Sequence, residues 1–132
     1  MTIRSDLLTA ITAAVTGTSV STSTELPWVT GGVPLHQKNM KKIYLDSEQY
    51  NIEQLHTTLD GNDVSRRETV VTAYLTVDAK NQPLDIDTII SAVIGTKETI
   101  VDCYIRQCDL SSTIEEDRIT YTFEFRLFRI NN

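Results

Sequence analysis

The 132-residue chain is poor in the residues that carry the most recognisable chemistry: two cysteines, two histidines, one tryptophan, five glycines and three prolines. Two cysteines are too few for a disulfide scaffold. Cys103 and Cys108 are five apart, and within a single extended strand that separation spans about 16 Å, too far for a bridge. They read as two reduced thiols of a cytoplasmic protein. Scarce glycine leaves no phosphate-cradling loop, since neither GxGxxG nor GxxxxGK[ST] is present, and no GxSxG elbow occurs. So few glycines and prolines also exclude collagen-like or low-complexity sequence. Basic residues are the minority, 12 against 18 acidic, for a formal net charge of -6. That balance disfavours non-specific binding to nucleic acid or anionic lipid, both of which need a positive surface. No run approaches the 18 or more apolar residues of a membrane span. The opening Met1 to Asp6 does not read as a signal peptide, because the apolar stretch that follows is broken by Thr9 and Thr12.

What the chain has in abundance is Thr, Val and Ile, together 42 residues. Branched side chains sit well on a pleated surface, so the composition leans toward strands. Its length suits one domain, 1-132, with a real core. Apolar positions Leu7, Leu8, Ile11, Ala14 and Val15 share one face of a helix over Thr2–Thr16, with Thr2 as N-cap and Gly17 as stop. Residues 18-42 show no helical period and read as a long arm or loop, with one short strand near Ser19 to Thr22. A short strand, Lys41–Leu45, follows. A hairpin of 52-59 and 67-78 turns at Asp60-Gly61-Asn62-Asp63. In its second arm Val71, Ala73, Leu75 and Val77 alternate against Val70, Thr72, Tyr74 and Thr76, and the first set should face the core. Asp85 is placed to cap a helix carrying Ile86, Ile89, Ile90, Val93 and Ile94, ended by Gly95. Strands are expected over 99-108 and 118-128, joined by a polar link from Leu110 to Asp117. This order predicts an α+β fold: a two-layer domain, mainly antiparallel sheet, with both helices packed on one face.

Catalytic constellations are not apparent. His36 and His56 are twenty residues apart and lack metal-ligand spacing. Cys103 lies on an apolar strand face and Cys108 beside Asp109, environments that raise a thiol pKa and favour structural roles. Asp85 and Asp87 look like helix-start chemistry, and Glu115 to Asp117 like a solvated tip. The expectation is a protein that is not an enzyme, with no metal and no cofactor.

The ordered pieces resemble the tail terminator proteins of long-tailed bacteriophages, lambda type. The resemblance rests on the amphipathic helix Ile3 to Thr16, the short strand Lys42-Ile43-Tyr44-Leu45, and the long strand Glu68 to Val77. That strand runs through an acidic, proline-containing link, Asp78 to Asp87, into the second helix. The closing strand is Ile119-Thr120-Tyr121-Thr122-Phe123-Glu124-Phe125. The resemblance implies a virion protein of the tail, assembled in the host cytoplasm. It implies a ring, hexameric in the family, that caps the tail tube, stops its polymerisation and offers the head-joining surface. Its partners would be further copies of itself, the major tail tube protein and a head-completion or connector protein, with no membrane and no nucleic-acid specificity. Other neck or tail-completion proteins share this small α+β architecture, and a non-phage α+β interaction module is the alternative from another class. The 18-42 arm is longer than the family layout suggests.

Candidate interface residues follow from the same sequence. Trp28 could anchor the arm on a neighbour, because aromatic anchors are enriched at interface hot spots. Two basic clusters, Lys38, Lys41 and Lys42, and Arg66 with Arg67, offer complementarity to an acidic partner. Tyr74 and Tyr104 lie on strand faces that carry less charge than a solvent face usually does. The acidic excess is local: residues 78-117 hold nine acidic and three basic residues, whereas 118-132 hold one acidic and three basic.

Overall fold

The computed structural model describes residues 2-23, 41-57, 61, 63-115 and 117-131, with side chains for all of these except 56, 57, 63, 115 and 131. Trp28, Lys38, His36 and most of the expected arm lie outside the described residues, as do Asp60 and Asn62 of the expected hairpin tip.

Helix α1 spans Ile3–Val15. Its start is a reciprocal box: the Thr2 hydroxyl accepts from the Ser5 N–H at 3.1 Å, and the Ser5 hydroxyl accepts from the Thr2 N–H at 3.1 Å. Two N–H groups that the helix cannot itself satisfy are thereby bonded. Gly17 takes a left-handed φ of 82°, which ends the helix at little steric cost. Ile3, Leu7, Ile11 and Val15, one per turn, are buried.

Strand β1 (Ser21–Ser23) pairs in parallel with β2 (Lys42–Leu45). Strands β3 (Gln49–Thr57) and β4 (Asp63–Asp78) form the long hairpin. Helix α2 (Ile86–Gly95) then crosses to β5 (Ile105–Glu115), which returns as β6 (Arg118–Asn131). The sheet has six strands in the order β1-β2-β4-β6-β5, with β3 paired to β4. All its pairings are antiparallel except β1 with β2. This is the expected α+β architecture.

One side of β4 is lined by β2 and β3 in turn, and their registers show that the two are one strand broken by a bulge. Ile43 lies opposite Leu75 and Leu45 opposite Ala73, so odd residues of β2 face the helices. After residues 46-48, Tyr50 lies opposite Thr69, so even residues of β3 take that face. An extra residue in an antiparallel strand reverses its faces in this way. Arg4 of α1 is bound to the bulge. Its Nε donates to the Asp46 carbonyl at 2.9 Å and its terminal nitrogen to the Leu45 carbonyl at 2.8 Å. The Arg4 N–H donates to the Glu48 carboxylate, where the positive end of the helix favours an anion.

The core lies between the helices and one sheet face. Val71, Ala73, Leu75 and Val77 are fully buried, as expected from their alternation. They meet Phe123, Phe125 and Leu127 from β6 and Ile89 and Val93 from α2, all likewise buried. Each of these side chains except Ala73 stabilises the fold by roughly 1.5–3 kcal/mol relative to exposure. Isoleucine-rich α2 is therefore held by burial more than by propensity.

Gly95 is the last residue of α2, as expected, but with a right-handed φ of -66°, from which the chain continues into a 3-10 turn over Thr96–Thr99. Three local expectations need correction. Asp85 sits at the start of α2 without capping it. Its carboxylate is turned to Ser19, accepting from the hydroxyl at 2.9 Å and from the N–H at 3.2 Å. The fifth strand begins at Ile105, six residues later than expected, and runs through most of the supposed link from Leu110 to Asp117. Residues 100-104 lie outside any strand, and Val101, within the expected strand 99-108, is 82% exposed. The cysteines therefore do not share a strand; both are free thiols.

Candidate interaction surfaces

A strand's two-residue period separates residues that are neighbours in sequence. Arg66 and Arg67, expected as one basic cluster, lie on opposite faces of β4. Arg66 is on the face away from the helices, paired with Glu53 at 2.7 Å and 5.4 Å from the centre of the Phe128 ring. Glu53 beside it raises the guanidinium pKa further. Arg67 is on the helix-side face, its guanidinium stacked 3.9 Å over the Tyr50 ring. The pair thus presents no joint positive patch.

Lys41 is exposed and holds a left-handed φ of 61°, uncommon for a residue with a Cβ. The conformation is held by two backbone bonds: its N–H donates to Thr76 at 2.9 Å and its carbonyl accepts from Ser21 at 3.0 Å. Lys41 therefore joins β1 to β4 through its backbone. Lys42 begins β2 opposite Ser21.

Tyr74 is half-buried in the middle of the outer sheet face, directly opposite Tyr44 of β2 and Thr122 of β6. Desolvation raises its phenol pKa, with Asp46 and Glu124 adding to the shift. Tyr44, on the same face, is 5% exposed. Charge lies close by on this face, with Arg126 opposite Val70 and Glu124 opposite Thr72. Glu68 lies 3.7 Å from Arg126, which also pairs with Glu124, and Asn51 donates to Glu68 at 3.0 Å. Exposed pairs of this kind contribute about 0–1 kcal/mol each, so they show where water reaches more than what holds the fold.

Tyr104 precedes β5 and is not in a strand; its N–H donates to Phe128 at 2.9 Å. It is half-exposed and lies against Arg66, near Ile105, Phe128 and Ile130. Eight residues of β4 separate this cluster from Tyr74, about 26 Å along a strand. Apart from Lys41, between β1 and β4, the expected interface residues that are described therefore fall in three places: Lys42 with Tyr74, Arg66 with Tyr104, and Arg67 on the other face.

The larger exposed apolar side chains were not expected as a group. Tyr50 and Ile52 of β3 share the helix-side face beyond the reach of the helices, and Leu110 and Ile114 of β5 share it at the opposite edge. The alternation of Leu110, Ser112 and Ile114 was the available signal, and the polar composition around it masked a strand.

Among the described residues, no group of three or more His, Cys, Asp or Glu side chains is close enough to hold a metal ion. Cys108 has its pKa pushed up to about 11, chiefly by burial, and burial also pushes Cys103 up, so neither favours its thiolate form. A hollow between the end of α1 and β1 is lined by Thr12, Val15, Thr18 and Thr22 among others, with no ionisable side chain among the described lining residues. No helix among the described residues is long and apolar enough to cross a membrane. No family model matches the chain, and no curated protein matches its sequence.

Proposed function

We propose that the chain is a structural protein of a phage tail, a terminator whose copies join in a ring that ends the tail tube and presents a surface to the head. The observation that carries this reading is the layout. An N-terminal amphipathic helix, a short strand, a long strand feeding a second helix and a long closing strand occur as α1, β2, β4, α2 and β6. Exposed apolar side chains supply the second support. Ile52 and Ile114 are 69% and 70% exposed on strands at opposite edges, a placement that suits contacts between copies. Such a protein acts by shape: a heterologous contact must close on itself, because one that does not close builds an open filament. The major tail tube protein and a head-completion or connector protein would be its other partners.

The test is tube assembly. Tail tube protein polymerised with and without the chain is viewed by negative-stain electron microscopy. Tubes of uniform length, each with a ring at one end, are expected. A chain that stays monomeric beside tubes and leaves their lengths unchanged would overturn the proposal.

A further inference from the structure

We infer that copies of this chain join by strand pairing, the free edge of β5 in one copy against the free edge of β3 in the next. Among the described residues no strand lies beyond β5 on one side of the sheet or beyond β3 on the other. These edges are long, eleven and nine residues. Unpaired backbone at an edge is a template for another strand, and proteins that must stay apart guard it with lysine or proline. Neither β5 nor β3 contains a lysine or a proline, and the one irregularity in β3, between Gln54 and His56, leaves Gln49 to Gln54 in regular register.

The strand directions favour a second copy as the occupant. β5 is antiparallel to β6, β6 to β4 and β4 to β3, so β5 and β3 run in opposite senses. A copy carried beside the first by rotation about an axis along the strands keeps its strand directions. Its β3 then meets the first copy's β5 antiparallel, as in all but one of the pairings within the chain. The two edges also match in side chains. Tyr50 and Ile52 on β3, and Leu110 and Ile114 on β5, all lie on the helix-side face. Pairing would bring these exposed apolar groups together across the junction, where cross-strand apolar pairs contribute about 0.2–1 kcal/mol each. Glu53 is already engaged with Arg66 and Arg106 with Glu98, and Asp109 of β5, opposite Glu124, is on the other face of the sheet from this apolar junction. Because the two edges differ, the contact is heterologous and runs head to tail. The inference rests on the proposed function only for the premise that copies associate.

The experiment is native mass spectrometry of the full chain and two variants, Ile52→Glu and Ile114→Glu. Both side chains are mostly exposed, so both variants should retain the wild-type circular dichroism and melting. Wild type is expected as a closed oligomer. Each variant alone should be monomeric, because each keeps one sound edge and lacks its complement. Mixed, they should give a 1:1 heterodimer and nothing larger, since the sound β5 of one meets the sound β3 of the other. Leu110→Glu should behave as Ile114→Glu. A monomeric wild type, or a single variant that assembles as wild type does, would overturn the inference. Assembly that is lost in both variants, with wild type leaving tail tubes uncapped, would sink the terminator reading and keep this one. Capped tubes indifferent to both substitutions would do the reverse.

Discussion

Thr69 is the clearest place to test how this fold balances polarity against packing. It lies in β4 between Tyr50 of β3 and Leu127 of β6, is fully buried, and its hydroxyl oxygen has no hydrogen-bond partner. Threonine and valine have nearly the same shape and both suit a strand, so Thr69→Val changes chemistry with little change of form. An unsatisfied buried hydroxyl costs about 1–3 kcal/mol, and the methyl that replaces it gains on the order of 0.8 kcal/mol from burial. Steric mismatch of a larger group offsets part of this, so a stabilisation of about 1.5 kcal/mol is expected. For a domain of this size that raises the melting temperature by about 5 °C. Urea unfolding, with the m-value unchanged, measures the free energy directly. A loss of stability, or no change, would refute the reasoning. It would mean that the hydroxyl is satisfied in solution, for example by a buried water.

Three further predictions follow from particular contacts. Arg4→Lys should destabilise by about 1–2 kcal/mol in the same urea assay, because a lysine cannot fork to the adjacent Leu45 and Asp46 carbonyls; an unchanged midpoint would show that the bulge does not need its clamp. Leu75→Ala, at a fully buried site, should cost about 2–5 kcal/mol, and a cost below 1 kcal/mol would place Leu75 outside the core. Cys108 has its pKa raised from 9.0 to about 11, so the unfolded chain ionises first as pH rises. Its contribution to stability is full below pH 9.0 and is lost between there and about 11. Cys108→Ala should flatten that part of the pH–stability curve relative to wild type, and a curve of unchanged slope would contradict the assignment.

Periodicity made much of the core legible. Alternation in 70-77 and 119-127 and the helical spacing of Leu7, Ile11 and Val15 each identify a buried face, because every residue in the pattern obeys one period. The strand Ile105–Glu115 was legible only as far as Cys108. Its central residues are serine and threonine, and that part reads as a strand only when β6 supplies the partner. Gly95 does end the α-helix, but its right-handed backbone and the 3-10 turn that follows were not legible, because glycine adopts either hand freely.

Composition and alternation by themselves determined that this chain is an α+β domain with its helices on one face of a mainly antiparallel sheet. They also determined which residues of β4 and β6 form its centre, since these depend only on which side chains avoid water and at what period. Tertiary structure alone decided which surfaces could meet a partner. Arg66 and Arg67, adjacent in sequence, are parted by the pleat. Tyr74 and Tyr104 are parted by the length of β4. Ile52 and Ile114, 62 positions apart, come to the same sheet face at its two edges. The physical reason is that an edge belongs to the order of strands in the sheet, and pairing at long range sets that order.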